Sequence, residues 1–257
     1  KGGVEAKDIR QKISMSKDAI RIDEYSGESK QPTETVLVLI RKKQIVNLDN
    51  LDQTMTKESF EEREKRLAER KKQNEEDLKN MPPGPQHDRL EKLYRPMLDG
   101  DRTFEMYMNK EDPKEIVKVK CECVWVRDAK SPDYAPFKGF LHPDLELPYN
   151  SAEVLYLLRI IGSGLKDYLE KNRKVFRRMP MEMELDLAAG GTLHTKVISI
   201  ERSSREELGE GLFDIPQGYK EKPAAGARKL PPPEKKTSEK TAGKTEEKTS
   251  GKADPDR

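Results

Sequence analysis

The chain has 257 residues, of which 38% are charged, 33% apolar and 6% aromatic. Globular chains average roughly 45–50% apolar and about 25% charged, so a core packed along the whole length is excluded, and no stretch approaches the ~20 apolar residues of a membrane-spanning helix. The 50 basic and 48 acidic residues leave a net charge of +2, which argues against a dedicated nucleic-acid binder with its basic face.

Residues 9–55 alternate with period two. Ile9, Gln11, Ile13 and Met15 share one face, and Ile20 and Ile22 continue it. The runs Val36–Ile40, Ile45–Leu48 and Leu51–Met55 follow, separated by Lys42-Lys43 and Asp49-Asn50. Short strands joined by tight polar turns predict an antiparallel meander. The period then changes. Residues 57–79 read as a helix with a narrow apolar stripe of Phe60, Leu67 and Leu78, surrounded by charge. Pairs such as Glu62–Arg66 and Glu75–Lys79 have the spacing that supports a solvated helix. Met81-Pro82-Pro83-Gly84-Pro85 ends it, and a short amphipathic segment follows with Leu90, Leu93, Tyr94, Met97 and Leu98.

Strands resume after Asp99-Gly100. Phe104, Met106 and Met108 share a side, and 116–127 reads as one long strand with Val117, Val119, Cys121, Cys123 and Trp125 on a single face. Pro132 and Pro136 mark a loop before Phe137–Leu147. Asn150 and Glu153 form a capping-box pattern that opens a helix over 151–175, the most apolar helical stretch, with a kink or split at Gly162-Ser163-Gly164. Met181, Met183, Leu185 and Leu187 then alternate with acidic residues, and a hairpin partner over 192–201 returns after the turn Ala188–Gly191.

Strands outnumber crossovers, so this is not a βαβ chain. The pattern predicts an α+β fold: one strongly curved antiparallel sheet with helices covering its concave face. The folded domain should span 1–219, with a charged helical insertion at 57–98. From Lys220 the composition changes to Lys, Glu, Thr, Pro and Ala, with the echo Glu239–Lys244 and Glu247–Lys252. Such a segment buries too little apolar surface to offset chain entropy and is expected to be disordered. It reads as a solubilising tail, or as a basic arm touching an anionic envelope surface.

Neither a phosphate loop, a nucleophile elbow nor a zinc motif is present. His87, His142 and His194 are scattered without ligand spacing. No catalytic residue, metal or cofactor is assigned, and the protein is read as a non-enzyme. Cys121 and Cys123 are too few for a disulfide scaffold; they fit buried small hydrophobes, a redox pair or a soft-metal site. The Met-rich stripes fit either sealed core or the wall of an apolar pocket.

Three segments, taken together, resemble a known family: Met15-Ser-Lys-Asp-Ala-Ile-Arg-Ile-Asp23, then Arg41-Lys-Lys-Gln-Ile-Val-Asn-Leu-Asp49 leading to Gln53-Thr-Met-Thr56, and Leu212-Phe-Asp-Ile-Pro-Gln-Gly-Tyr-Lys220. Their order and spacing resemble the LolA-like superfamily of periplasmic lipoprotein carriers, and most of all an uncharacterised exported bacterial family within it. The resemblance implies an unclosed β-barrel whose cavity holds acyl chains under a helical lid. On that reading Leu37, Leu39, Phe104, Met106, Met108, Trp125, Leu158, Met181, Met183 and Leu185 line the cavity. Phe60, Leu67, Leu78, Leu93 and Tyr94 form the lid, and Arg21 hydrogen-bonds it. Phe213 and Tyr219 should pin the last strand, with Gly218 supplying the turn. The implied protein is an exported, periplasmic, monomeric, non-catalytic binder of an acyl chain or lipidated partner; the alternative is a structural or interaction module of the envelope without a ligand. Neither nucleic-acid binding nor a membrane span is expected.

Overall fold

The computed structural model describes residues 9–94, 102–131, 134–187, 192–204, 207, 209 and 211–223. The chain divides into the units 1–225 and 226–257. Everything after residue 223 lies outside the described residues, so nearly all of the expected tail does too, as do Met97, Leu98, Asp99-Gly100, Pro132 and the turn Ala188–Gly191.

The described chain is a mixed α+β fold with two sheets, not the single sheet expected, and neither closes into a barrel. The first sheet contains β1 (Arg10–Met15), β2 (Ala19–Tyr25), β3 (Glu34–Leu39), β4 (Gln44–Asp49) and β5 (Thr54–Ser59) as an antiparallel meander. Two helices follow, α1 (Phe60–Asn80) and α2 (Pro85–Tyr94). The second sheet is built from β6 (Phe104–Ile116), β7 (Val119–Asp128), β8 (Phe137–Glu146), β9 (Arg178–Asp186) and β10 (Thr192–Lys196), all antiparallel. Between β8 and β9 the chain forms α3 (Ser151–Leu157), α4 (Ser163–Lys171) and α5 (Arg173–Phe176). The last strand, β11 (Lys220–Glu221), returns to the first sheet and pairs parallel to β5 at Thr54 and Met55. Two residues beyond the expected domain boundary at 219 therefore belong to a sheet.

Local chemistry sets these boundaries. The meander reaches Ser59, three residues into the helix predicted over 57–79. There Ser59 accepts from the Glu62 N–H while Glu62 accepts from the Ser59 N–H at 2.8 Å, a full capping box that starts α1. Asn150 caps α3 through the Glu153 N–H. The long helix predicted over 151–175 is three helices. The first break carries Arg159 at φ 63°, and α4 restarts at Gly162. The strand predicted over 116–127 is also two elements. Val117 and Lys118, at φ 52° and 61°, form a two-residue hairpin turn between the paired Ile116 and Val119.

Four apolar clusters hold the fold. Ile20, Val38 and Ile45 on one face of the first sheet meet Phe60, Val154 and Leu157. Its other face, with Leu37, Leu39, Val46 and Leu48, is covered by Phe213, Ile215 and Tyr219 of the C-terminal segment. This placement follows the expectation for Phe213 and Tyr219, and Gly218 adopts the positive φ of 93° that the turn requires. On the second sheet, Phe104, Val124, Val126, Phe137 and Leu185 pack against Ala152, Ile161, Leu165, Leu169 and Phe176. Edge-to-face ring pairs, Phe104–Tyr168 at 5.8 Å and Phe137–Phe176 at 5.4 Å, join sheet to helices. Ile116, Cys121 and Met181 lie in a smaller cluster with Phe140 and Val197. Helix α3 thus contributes to the cores of both sheets. Ile9, just before the edge strand β1, and Ile13 within it, both predicted to face a core, are about half exposed, while the next residue, Ser14, is buried.

Candidate functional site

Eight of the ten residues predicted to line one cavity are distributed over four apolar clusters. Phe104 and Leu185 are buried beneath α3–α5, with Met106 and Met183 packed against them. Leu158 packs on the first-sheet cluster around Val38. Leu37 and Leu39 face the C-terminal segment instead of the helices, because both faces of β3 are buried and alternation alone cannot say which one meets the helices. Met181 lies in the cluster with Cys121. A register shift between Phe140 and Leu141 makes a β-bulge opposite it and takes Met181 out of the Met183–Leu185 stripe. Trp125 contacts Cys123 Sγ through its indole N–H at 2.9 Å, away from the helix-facing Val124 and Val126, and Met108 is exposed on the edge strand.

Of the lid residues, Phe60 and Leu67 are buried, and Leu78 and Tyr94 are half-buried. Leu93 lies in α2, and its side chain is outside the described residues. Arg21 does not reach the lid. Its Nε donates to both Asp23 carboxylate oxygens at 2.9 and 2.8 Å, and its Nη1 donates to the Leu212 carbonyl at 3.0 Å.

A groove of about 180 Å³ lies on the second sheet, lined by Lys114, Lys138, Phe140, Glu182, Met183, Glu184 and His194. Strand register builds it: Phe140 stands opposite Glu182, Lys138 opposite Glu184, and Glu184 opposite His194. Lys114 Nζ bonds Glu182 Oε1 at 2.5 Å, and His194 Nε2 lies 3.6 Å from the same oxygen. The Glu182 side chain is 12% exposed, and its Oε2 is buried without a hydrogen-bond partner. Burial pushes the Glu182 carboxyl up, but Lys114 and His194 pull it down further, so it ends below the usual carboxylate range. A carboxylate held ionised in this way offers an acceptor and no proton. Lys114 also sits over the Phe140 ring at 5.2 Å, and Lys138 and Arg127 over the Trp125 ring at 4.6 and 4.3 Å. The groove is polar and smaller than the ~300–1,000 Å³ of typical small-molecule pockets.

Two further groupings lie outside the predicted site residues. His87, Asp88 and Glu91 at the start of α2 hold their ligand atoms within 4.8 Å of one another; the two acids are exposed, as such groups often are without an ion. Buried Glu58 at the end of β5 accepts from Arg63 Nη1 at 3.0 Å and Arg66 Nη2 at 2.6 Å. The predicted Glu62–Arg66 pairing gives way to this contact, because Glu62 is used in the helix cap. The arginine spacing was visible in the sequence, but its acidic partner lies in the preceding strand.

Cys121 and Cys123 are free and buried. Cys121 Sγ donates to the Val119 carbonyl at 3.4 Å, and burial pushes its thiol up. Among the described residues, no helix is long and apolar enough to cross a membrane. No protein-family model matches the chain, and no curated protein matches it.

Proposed function

We propose that the protein is an exported, non-catalytic, monomeric binding protein of the carrier kind, which takes an acyl chain or lipidated partner between α1 and the apolar face formed by Ile20, Val38, Ile45, Val154 and Leu157. The observation that carries this reading is the character of α1. It is 21 residues long, yet among its residues Phe60, Leu67 and Asn74 alone are buried, and Arg63 ties it to the Leu157 carbonyl at 2.8 Å. With so little of α1 seated on apolar surface, it is the element that would lift to admit a ligand, at the cost of the Arg63 and Arg66 contacts that hold it. Each methylene that replaces it would contribute about 0.8 kcal/mol from leaving water. The half-barrel curvature belongs to the same proposal, as does a tail that touches an anionic envelope surface.

A second reading, an interaction module without ligand, is favoured by the filled clusters beneath α3–α5 and by the polar groove. Titration of delipidated protein with a fluorescent fatty acid separates the two. Saturable binding, weakened in a folded Leu158→Glu variant, supports the carrier reading. Absence of saturation, with native mass spectrometry of host-derived protein showing a bare chain, removes it and leaves the interaction module.

A further inference from the structure

Helix α1 presents Arg63, Arg66 and Arg70 at the i, i+3, i+7 spacing of one helix face. Across from them the α3–α4 turn brings up a fourth arginine. Arg63 Nε donates to the Leu157 carbonyl at 2.8 Å, and two residues later Arg159 occupies left-handed backbone at φ 63°. Glycine takes that conformation freely, whereas a side chain there costs on the order of 1 kcal/mol. Arg159 Nε is buried and has no hydrogen-bond partner. Burial, then the like charges of Arg70, Arg63 and Arg66, pull its pKa down to about 10, with Glu58 the opposing group. Glu58 is already bonded through one oxygen to both Arg63 and Arg66. These five groups carry a summed charge of +3. A strained, partly desolvated arginine set against three others is a poor choice for stability alone.

We propose that Arg63, Arg66, Arg70 and Arg159 form a binding site for a phosphate group at the seam between α1 and the α3–α4 turn. Guanidinium forks match the tetrahedral oxyanion through paired N–H donors. A phosphate monoester brings close to two negative charges, where a single carboxylate brings one. The phosphate supplies the missing acceptor for Arg159 Nε and bridges α1 to the turn. This proposal does not depend on acyl-chain binding.

The test is calorimetric titration of the full chain with inorganic phosphate at fixed ionic strength, alongside Arg70→Gln and Arg159→Gln. Flotation with phosphatidic-acid and phosphatidylcholine vesicles provides a second arm. Saturable phosphate binding, weakened about tenfold or more by each variant, supports a soluble phosphate-bearing ligand. Retention on phosphatidic-acid vesicles alone, lost in Arg159→Gln, supports the same site with a lipid headgroup as its source. A third variant guards against misfolding. Arg159→Gly should melt higher than the parent without phosphate, since backbone strain and charge repulsion are both relieved, and should lose the phosphate-induced rise in Tm. The proposal is overturned if neither arm shows binding, if binding is unchanged in Arg70→Gln and Arg159→Gln, or if Arg159→Gly melts lower and retains the phosphate effect.

Discussion

The Tyr219 hydroxyl donates to Asn50 Oδ1 at 2.6 Å, across a sequence separation of 169 residues. The bond opens a relay. Asn50 Nδ2 donates to Thr35 Oγ1 at 3.0 Å, Thr35 Oγ1 donates to Asp23 Oδ1 at 2.6 Å, and Asp23 holds Arg21, whose Nη1 reaches back to the Leu212 carbonyl. Thr35 and Asp23 are buried. The segment 212–219 is therefore fixed at both ends by one polar chain through the first sheet. Tyr219→Phe should lower stability by about 1 kcal/mol, the net value of one hydrogen bond. Phe213→Ala should cost about 2 kcal/mol, less than a fully buried aromatic because Phe213 is half-buried. Urea midpoints measure both, and an unchanged midpoint for Phe213→Ala would contradict its role in the cluster.

Residues after Pro223 should be dispensable for folding. The last described contact to the sheet is the Lys222 N–H to the Met55 carbonyl at 2.8 Å. A chain ending at Pro223 should melt with the full-length protein, while one ending at Gly218 should melt several degrees lower.

Stability should fall at acid pH through Asp128. Its carboxylate is 3% exposed and paired with Arg102. Burial pushes it up, but the Lys130 N–H, the Arg102 bond and the two positive charges bring it below its ordinary 3.8. The folded value is depressed, so this contribution is complete above 3.8 and is lost as pH falls through the lower folded value. Asp128→Asn should cost about 3 kcal/mol at neutral pH. The gap between variant and parent should narrow below the ordinary value in urea titrations across that range.

The hairpin turn at Val117-Lys118 should be improvable. Both residues have positive φ, which two-residue turns usually give to Asn and Gly. The double change Val117→Asn, Lys118→Gly should raise stability by about 1–2 kcal/mol. A lower melting temperature would show that Val117, 40% exposed, contributes packing that outweighs its strain.

Both thiols should resist modification in the folded protein. Cys121 and Cys123 are 0% and 2% exposed, and burial keeps Cys121 protonated. A chromogenic thiol reagent should label both only as fast as the protein unfolds. Rapid labelling of either in native buffer would place it at the surface.

Strands β1–β4 were legible because their turns carry Lys42-Lys43 and Asp49-Asn50 and the strands carry branched apolar residues; the strand predicted over Leu51–Met55 begins only at Thr54, because Leu51 to Gln53 belong to the turn and Leu51 is exposed. The helix cap at Asn150 was legible for the same local reason. Three features were not. The Val117-Lys118 turn has no glycine or asparagine to mark it. The bulge that moves Met181 arises from pairing with β8, which alternation in β9 cannot report. The division into two sheets depends on where α3 packs, a tertiary choice with no local sign. The residues predicted to line one cavity lie in separate clusters for the same reason: Leu37 and Leu39 sit on a strand apolar on both sides, and only the placement of residues 213–219 decides which side meets helices. At the arginine cluster, spacing along α1 was readable, but the approach of Arg159 was not.

The parallel pairing of β11 with β5 has a consequence during synthesis. The partner edge, Thr54 and Met55, emerges from the ribosome long before Lys220 and Glu221. At about 5–20 residues per second, roughly ten to thirty seconds of translation separate them. Throughout that interval the β5 edge and the Leu37–Leu48 face lack their own chain as cover. A nascent chain stalled before residue 212 should thus present a sticky surface to chaperones, and one released past 223 should not.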